Sequence, residues 1–202
     1  MLSARATDYL AELERRPLIT DAGGIRDAFT SRSLPCPAAI IEFQIRFGGT
    51  VLYAGLAPMI ATILHPQANF LLDRPWNVPD VTDETGILLF NCINTLYQME
   101  FHLDESGRYY EGWEPVHESF EKHLEGNAFL ATHSSQGKWT TIHDAETKIG
   151  NNAADFRSFG LEIDEFASCQ YTTFWYNDAI IVRHRGRNIA AWRNEESQIT
   201  KR

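Results

Sequence analysis

Tyr97–Trp113 reads "YQMEFHLDESGRYYEGW". Its first half alternates strictly. Tyr97, Met99, Phe101 and Leu103 fall on one side; Gln98, Glu100 and His102 fall on the other. That period of two predicts a strand with one packed face. "DESG" follows, and Gly107 can supply the positive φ that a tight connection needs. "RYYEGW" then returns as a second, aromatic strand. The stretch is a β-hairpin in which Asp104 and Gly107 set the turn. It also carries Asp104, Glu105, Glu111 and Trp113, so it reads either as a carboxylate site or as a surface that touches another molecule.

Elements of both kinds surround it. Ala6, Tyr9, Leu10 and Leu13 recur at helical spacing, with Arg15 and Arg16 at the end and Pro17 as the stop. Asp21 can cap a second helix carrying Ile25, Ala28 and Phe29. In "LPCPAAIIEFQIRFGG" (34–49), Pro37 suits a first turn and Gly48 the left-handed position after the last. Ile40, Ile41, Phe43, Ile45 and Phe47 make its apolar face broad, as in a helix buried on more than one side. Thr50–Leu56 and Ile87–Ile93 read as strands, and residues 57–86 as loops with short elements. Ser119 is an N-cap for a helix striped by Phe120 and Leu124 and continued by Ala128 after an interruption at Gly126.

Past residue 135 the pattern changes. "WTTI" reads as a strand, and residues 144–159 as weakly helical, interrupted at Asn151 and Asn152. In "CQYTTFWYNDAIIVRHRGRNIAAW" (169–192), Asn177-Asp178 and Gly186-Arg187 are tight-turn signals. Two-residue turns at both would set Trp175 opposite Ile180, Val182 opposite Ala191 and His184 opposite Ile189, a three-stranded meander. The expected fold is α+β: a mixed, mainly antiparallel sheet with helices packed against it, plus a C-terminal β-meander. The expected division is a core over residues 1–134 and an extension over residues 135–202 that packs on the same domain.

The 202 residues suffice for a core without metals or disulfides. Three widely spaced cysteines, Cys36, Cys92 and Cys169, argue against a disulfide framework or zinc knuckle and for a reducing compartment. The N-terminus has no apolar leader core, and Pro58 interrupts the longest apolar run, so a cytoplasmic protein that neither spans nor needs a membrane is expected. The net charge of −9 disfavours nucleic acid and attracts a basic partner.

Reactive constellations are sparse. "HESFEKH" (117–123) places His117 and Glu121 at i, i+4, but the zinc-protease pattern needs a histidine where Glu121 stands. On one helix, His117 and His123 would point apart. The neighbouring acids Asp83-Glu84, Asp104-Glu105 and Glu195-Glu196 cannot face each other across a substrate. No nucleophile motif, P-loop or dinucleotide fingerprint occurs. The sequence therefore implies no catalytic residue, no metal and no cofactor. The positive signal is charge with aromatics. Glu100, Asp104, Glu105, Glu111, Glu114, Glu118, Glu121 and Glu125 crowd one segment around Tyr109, Tyr110 and Trp113. The expected partner-binding residues are Asp104, Glu105, Glu111, Trp113, Glu114 and Glu118, because aromatics supply contact area at low entropy cost. Arg183, Arg185, Arg187, Arg193, Lys201 and Arg202 make the far end basic. That end either pairs with the acidic segment of a second copy or folds back on its own.

Two stretches resemble the SUKH superfamily. "LPCPAAIIEFQIRFGG" is similar to its opening L-P…F-x-x-x-[FY]-G-G helix, through Leu34, Pro35, Phe43, Phe47, Gly48 and Gly49. "FHLDESGRYYEGWEPVHESFEKHLE" (101–125) is similar to its later strand, D-x-x-G turn, aromatic strand and S-F-x-x-[FH]-L-E helix. The matching residues are Asp104, Gly107, Tyr109, Ser119, Phe120, Leu124 and Glu125. One residue more than the family spacing separates Leu34-Pro35 from the helix, and residues beyond 135 have no counterpart. The resemblance implies a non-enzymatic immunity protein that binds and neutralises a cognate bacterial toxin, with a basic nuclease as the toxin suited to this charge. The alternatives are an adaptor or scaffold that forms a homodimer, and an enzyme using His102, His117 or His184 as a base beside a carboxylate.

Overall fold

A computed structural model describes residues 1–53, 58–69, 74–76, 79–82, 86–94 and 101–197. In chain order the elements are α1 (Ala4–Glu12), α2 (Ala22–Thr30), α3 (Ala38–Phe47), β1 (Val51–Tyr53), β2 (Pro58–Ala61), β3 (Leu64–Asn69), β4 (Arg74–Trp76), β5 (Pro79–Thr82), β6 (Leu88–Asn91) and β7 (Ile93–Asn94). There follow β8 (Phe101–Asp104), β9 (Tyr109–Glu111), β10 (Glu114–His117), α4 (Phe120–Ser134), β11 (Trp139–Thr141), α5 (Ala145–Ile149), α6 (Ala153–Ser158), β12 (Glu162–Ile163), β13 (Thr172–Tyr176), β14 (Ile180–Arg185) and β15 (Asn188–Asn194). Helices and antiparallel sheets with a terminal meander make this an α+β fold. The chain forms two compact units. One is Glu12–Pro115; the other joins Met1–Ala11 to Val116–Arg202. The 134/135 position lies within the latter, at the end of α4.

Within Glu12–Pro115, Asp21 caps α2 as expected, accepting from the Gly24 N–H at 2.7 Å. Helix α3 buries Ile40, Ile41, Phe43 and Phe47, and Phe43 meets Phe101 of β8 edge-on at 6.1 Å. Gln44 is buried on the same helix and joins three segments. Its Nε2 donates to the Ile19 carbonyl at 2.8 Å, and its Oε1 accepts from the Ile63 N–H at 2.8 Å. The glycine in the left-handed region is Gly49, with φ 89°, and not Gly48. The cause is the strand-like path of residues 14–16 beside 49–51. Arg16 N–H donates to the Gly49 carbonyl and Val51 N–H to the Glu14 carbonyl, both at 2.8 Å. A Cβ on Gly49 would strike the Arg16 carbonyl oxygen. Gly49→Ala is therefore expected to cost about 2 kcal/mol, read as a lower urea midpoint.

The apolar run 87–93 forms two strands that belong to different sheets. β6 lies in the five-stranded order β10-β9-β8-β6-β5, and β7 lies in the order β1-β2-β7. Cys92 stands at the switch, its N–H donating to the Phe101 carbonyl and its carbonyl accepting from Thr62 N–H. β3 and β4 form a two-stranded sheet. The alternation expected over Tyr97–Glu100 and the strand expected at residues 54–56 lie outside the described residues. From Phe101 onward it holds: Phe101 and Leu103 are buried and His102 is half-buried.

The other unit is built on the five-stranded antiparallel sheet β11-β15-β14-β13-β12. Period-two alternation gives it two faces. Phe174, Ile181 and Trp192 pack with Phe129 of α4. Trp175, Val182 and Ala191 pack with Ile149 of α5 and Phe156 of α6 on the opposite face. Helices thus cover both faces, and this is why the meander strands are rich in apolar residues on both sides. Asn152 caps α6 and accounts for the interruption at 151–152. Helix α4 runs unbroken through Gly126, because the missing side chain lets the helix approach β13. A Cβ there would lie 3.0 Å from the Phe174 ring.

The turn at Gly186-Arg187 has two residues as expected, with Arg185 opposite Asn188 and Gly186 at φ 56°. This is the first turn position, which a type II′ hairpin reserves for glycine. Val182 faces Ala191 and His184 faces Ile189. The other connection is wider than the expected two residues. Tyr176 pairs with Ile181, so Trp175 faces Val182 and not Ile180. The reason is Asn177, whose side-chain oxygen accepts from both Ala179 and Ile180 N–H, at 2.9 and 2.8 Å. That cap holds the connection open, with four residues between the paired Tyr176 and Ile181. Because the register moves by two, every side chain keeps its face.

Helix α1 joins this unit through two carboxylates. Ser3 N–H and Oγ–H donate to the two oxygens of buried Glu125, at 2.6 and 2.7 Å. Arg5 forms a bidentate pair with Asp164 at 2.8 and 2.9 Å, and its guanidinium lies 5.2 Å from the centre of the Phe129 ring.

Candidate protein-interaction surface

The β8–β9 hairpin is organised by Asp104. Its Oδ1 accepts from Ser106 N–H, Ser106 Oγ–H and Arg108 N–H at 2.9, 2.6 and 2.9 Å; Oδ2 accepts from the Tyr110 hydroxyl at 3.2 Å. Gly107, at φ 87°, donates its N–H to the Asp104 carbonyl. With 7% of its surface exposed, Asp104 is a structural residue of the turn and offers a partner no face. Its neighbour Glu105 is exposed.

β9 ends at Glu111 and β10 begins at Glu114, with Gly112 and Trp113 between them. Gly112 has φ 60°, which closes the chain over two residues. A side chain at the second position of so short a turn has no strand neighbour to pack on, and Trp113 is 61% exposed. Glu114 is exposed and Glu111 half-buried. Two carboxylates thus flank an indole at one hairpin tip. Glu105 belongs to the turn at the opposite end of β9, about 10 Å away by strand rise. Glu118 is also exposed, but it belongs to the other unit, between β10 and α4. The six expected contact residues therefore separate into one buried organiser, an acidic-aromatic tip of Glu111, Trp113 and Glu114, and two exposed acids elsewhere.

Charge is unevenly divided between the units. Glu12–Pro115 holds fourteen Asp and Glu against seven Lys and Arg; the other unit holds thirteen against eleven. The first carries −7 of the net −9.

The histidines have a different setting. His117 lies on β10, not on a helix, because Ser119 caps α4 two residues later, accepting from Lys122 N–H. That bend brings the His117 and His123 rings into edge contact at 5.5 Å, against the expectation that they point apart. Asn127 lies 3.0 Å from His123 Nε2. Burial, helped by His123, Arg185, Arg183 and Lys122, pushes the His117 pKa down to about 2. A neutral imidazole of such low basicity is a poor proton acceptor at neutral pH. His184 packs against Phe156 at 5.7 Å, on the sheet face opposite α4, so His117 and His184 are not brought together. Among the described residues no group of three or more His, Cys, Asp or Glu could hold a metal ion, and no helix is long and apolar enough to cross a membrane.

No family model, curated protein or solved structure matches this chain.

One exposed aromatic had no signal in the pattern. Phe166 sits in "DEFAS" (164–168) and is 63% exposed. The readable clue is Asp164 three residues before Ala167, the spacing of a side-chain cap. Asp164 Oδ1 accepts from Ala167 N–H at 2.8 Å.

Proposed function

We propose that this chain is a cytoplasmic, non-enzymatic immunity protein that binds and neutralises a basic, nuclease-type bacterial toxin. The observation that carries this reading is the concentration of negative charge in Glu12–Pro115, with Trp113 held outward between Glu111 and Glu114. An exposed indole flanked by two carboxylates suits a partner that offers an apolar pocket bordered by Lys and Arg. The aromatic supplies buried area, and the acids speed encounter and exclude acidic competitors. The resemblance of residues 34–49 and 101–125 to the SUKH superfamily points the same way.

The test uses the protein encoded beside this chain, titrated calorimetrically against the full-length chain. One-to-one binding is expected, weakened at least about tenfold between roughly 0.05 and 0.5 M salt. Trp113→Ala and Glu114→Lys are each expected to weaken it by about tenfold or more while leaving the unfolding midpoint unchanged, since both side chains face water. Binding that ignores salt and both substitutions would remove the tip from the mechanism.

A further inference from the structure

The sheet of the unit Met1–Ala11 with Val116–Arg202 carries two dissimilar turns at one end. β12 runs towards the Thr172 end of β13, as Ile163 lies opposite Trp175 and Glu162 opposite Tyr176. Arg185, the last residue of β14, lies opposite Thr172. The segment 164–171 and the Gly186-Arg187 turn therefore emerge at the same end of the sheet. Neighbouring strands are about 4.8 Å apart, so the two turns are offset by about 10 Å.

The first turn is acidic and aromatic, and it is rigidly held. Lys122 Nζ donates to the carbonyls of Glu165, Phe166 and Ser168 at 3.3, 2.8 and 2.8 Å. Asp164 caps Ala167 and is itself clamped by Arg5. Ser168 Oγ accepts from Phe174 N–H at 2.8 Å. Ala167 fills the core, whereas Phe166 and Glu165 face water. An exposed phenyl on a fixed backbone loses little chain entropy when it is covered. The second turn presents exposed Arg187, with Arg185 half-buried behind it.

We propose that this end of the sheet is a two-fold self-association surface, in which Glu165 and Phe166 of one copy meet Arg187 of another. A two-fold interface uses the same patch twice, so the patch must complement itself. An acidic-aromatic turn and a basic turn side by side meet that condition. The axis between them sets each turn on its opposite, and each arginine can lie over a phenyl ring as well as beside a carboxylate. Self-association here is independent of the toxin partner proposed above.

The test is the mass of the full chain in solution, by sedimentation or light scattering, over about 1–500 μM. At low salt the mass is expected to rise from 23.0 kDa towards twice that value as concentration increases. Phe166→Ala, Glu165→Arg and Arg187→Glu should each move the midpoint at least tenfold higher, with unchanged circular dichroism. The double variant E165R/R187E, which exchanges the two charges, should restore association to within about threefold of the parent. A chain that stays at 23.0 kDa throughout overturns the proposal and leaves this end to a different protein. A dimer indifferent to F166A and R187E also overturns it, because another surface would then be responsible.

Discussion

Replacing Arg5 by Met is expected to lower the unfolding free energy by about 3 kcal/mol at pH 7, among the largest effects available in this chain. The substitution keeps much of the aliphatic stem but strands Asp164, which is only 9% exposed. Burial alone would raise the Asp164 carboxyl. The hydrogen bonds from Arg5 and Ala167 outweigh it and hold the group below its ordinary value of 3.8. The hydrogen bonds to Asp164 in turn raise Arg5 against the cost of its own burial. Without Arg5 the carboxylate keeps the Ala167 N–H but loses its counter-charge, and an uncompensated buried charge costs more than the pair contributes. The sign with pH follows. A carboxyl whose folded pKa is depressed contributes stability that is complete above the unfolded value and is lost as pH falls through the folded one. Urea midpoints of the parent and Arg5→Met should therefore differ most at neutral pH and converge below about pH 3.8. A gap that persists undiminished in acid would assign the loss to packing on Phe129 instead.

This clamp also shows where sequence reading stops. Arg5 and Asp164 are 159 positions apart, and Ser3 and Glu125 are 122 apart. No local periodicity links such residues, and Glu125 looks like any solvated acid on an amphipathic helix. The features that were legible are short-ranged: the Asp21 and Ser119 caps, the broad face of α3, the Asp104–Gly107 turn and the glycine of the Gly186-Arg187 turn. Each depends on backbone geometry within about four residues, where composition and conformation are tightly coupled. Errors arose where a distant segment chose between local options. Gly49 rather than Gly48 takes the positive φ because residues 14–16 lie alongside. The 87–93 run divides between two sheets at Cys92, whose N–H and carbonyl bond to different neighbours. The proposed contact residues were legible as residue types but not as a place. Alternation could not say that Asp104 is consumed within its own turn, or that Glu118 belongs to the other unit.

Asp104→Ala is expected to cost about 3 kcal/mol, because one carboxylate organises the entire β8–β9 connection. Removing it leaves Ser106 N–H, Ser106 Oγ–H, Arg108 N–H and the Tyr110 hydroxyl without their acceptor. Arg108 N–H has little recourse, since the turn aims it inward at Oδ1. Tyr110 is buried, so its hydroxyl has limited access to water as a substitute. The strands would also lose definition, because Asp104 N–H donates to the Arg108 carbonyl and its carbonyl accepts from Gly107 N–H. Those two bonds close the same turn that the side chain organises. Asp104→Asn separates the contributions. Its remaining oxygen can still accept the two backbone N–H groups, while the amide cannot accept from Tyr110, so a loss of about 1 kcal/mol is expected. Equilibrium urea unfolding followed by tryptophan fluorescence reads both, and the order parent, Asn, Ala is the required outcome. If Ala and Asn proved equally mild, Asp104 would be dispensable to the hairpin, and the placement of Trp113 at the far end of β9 would need another cause.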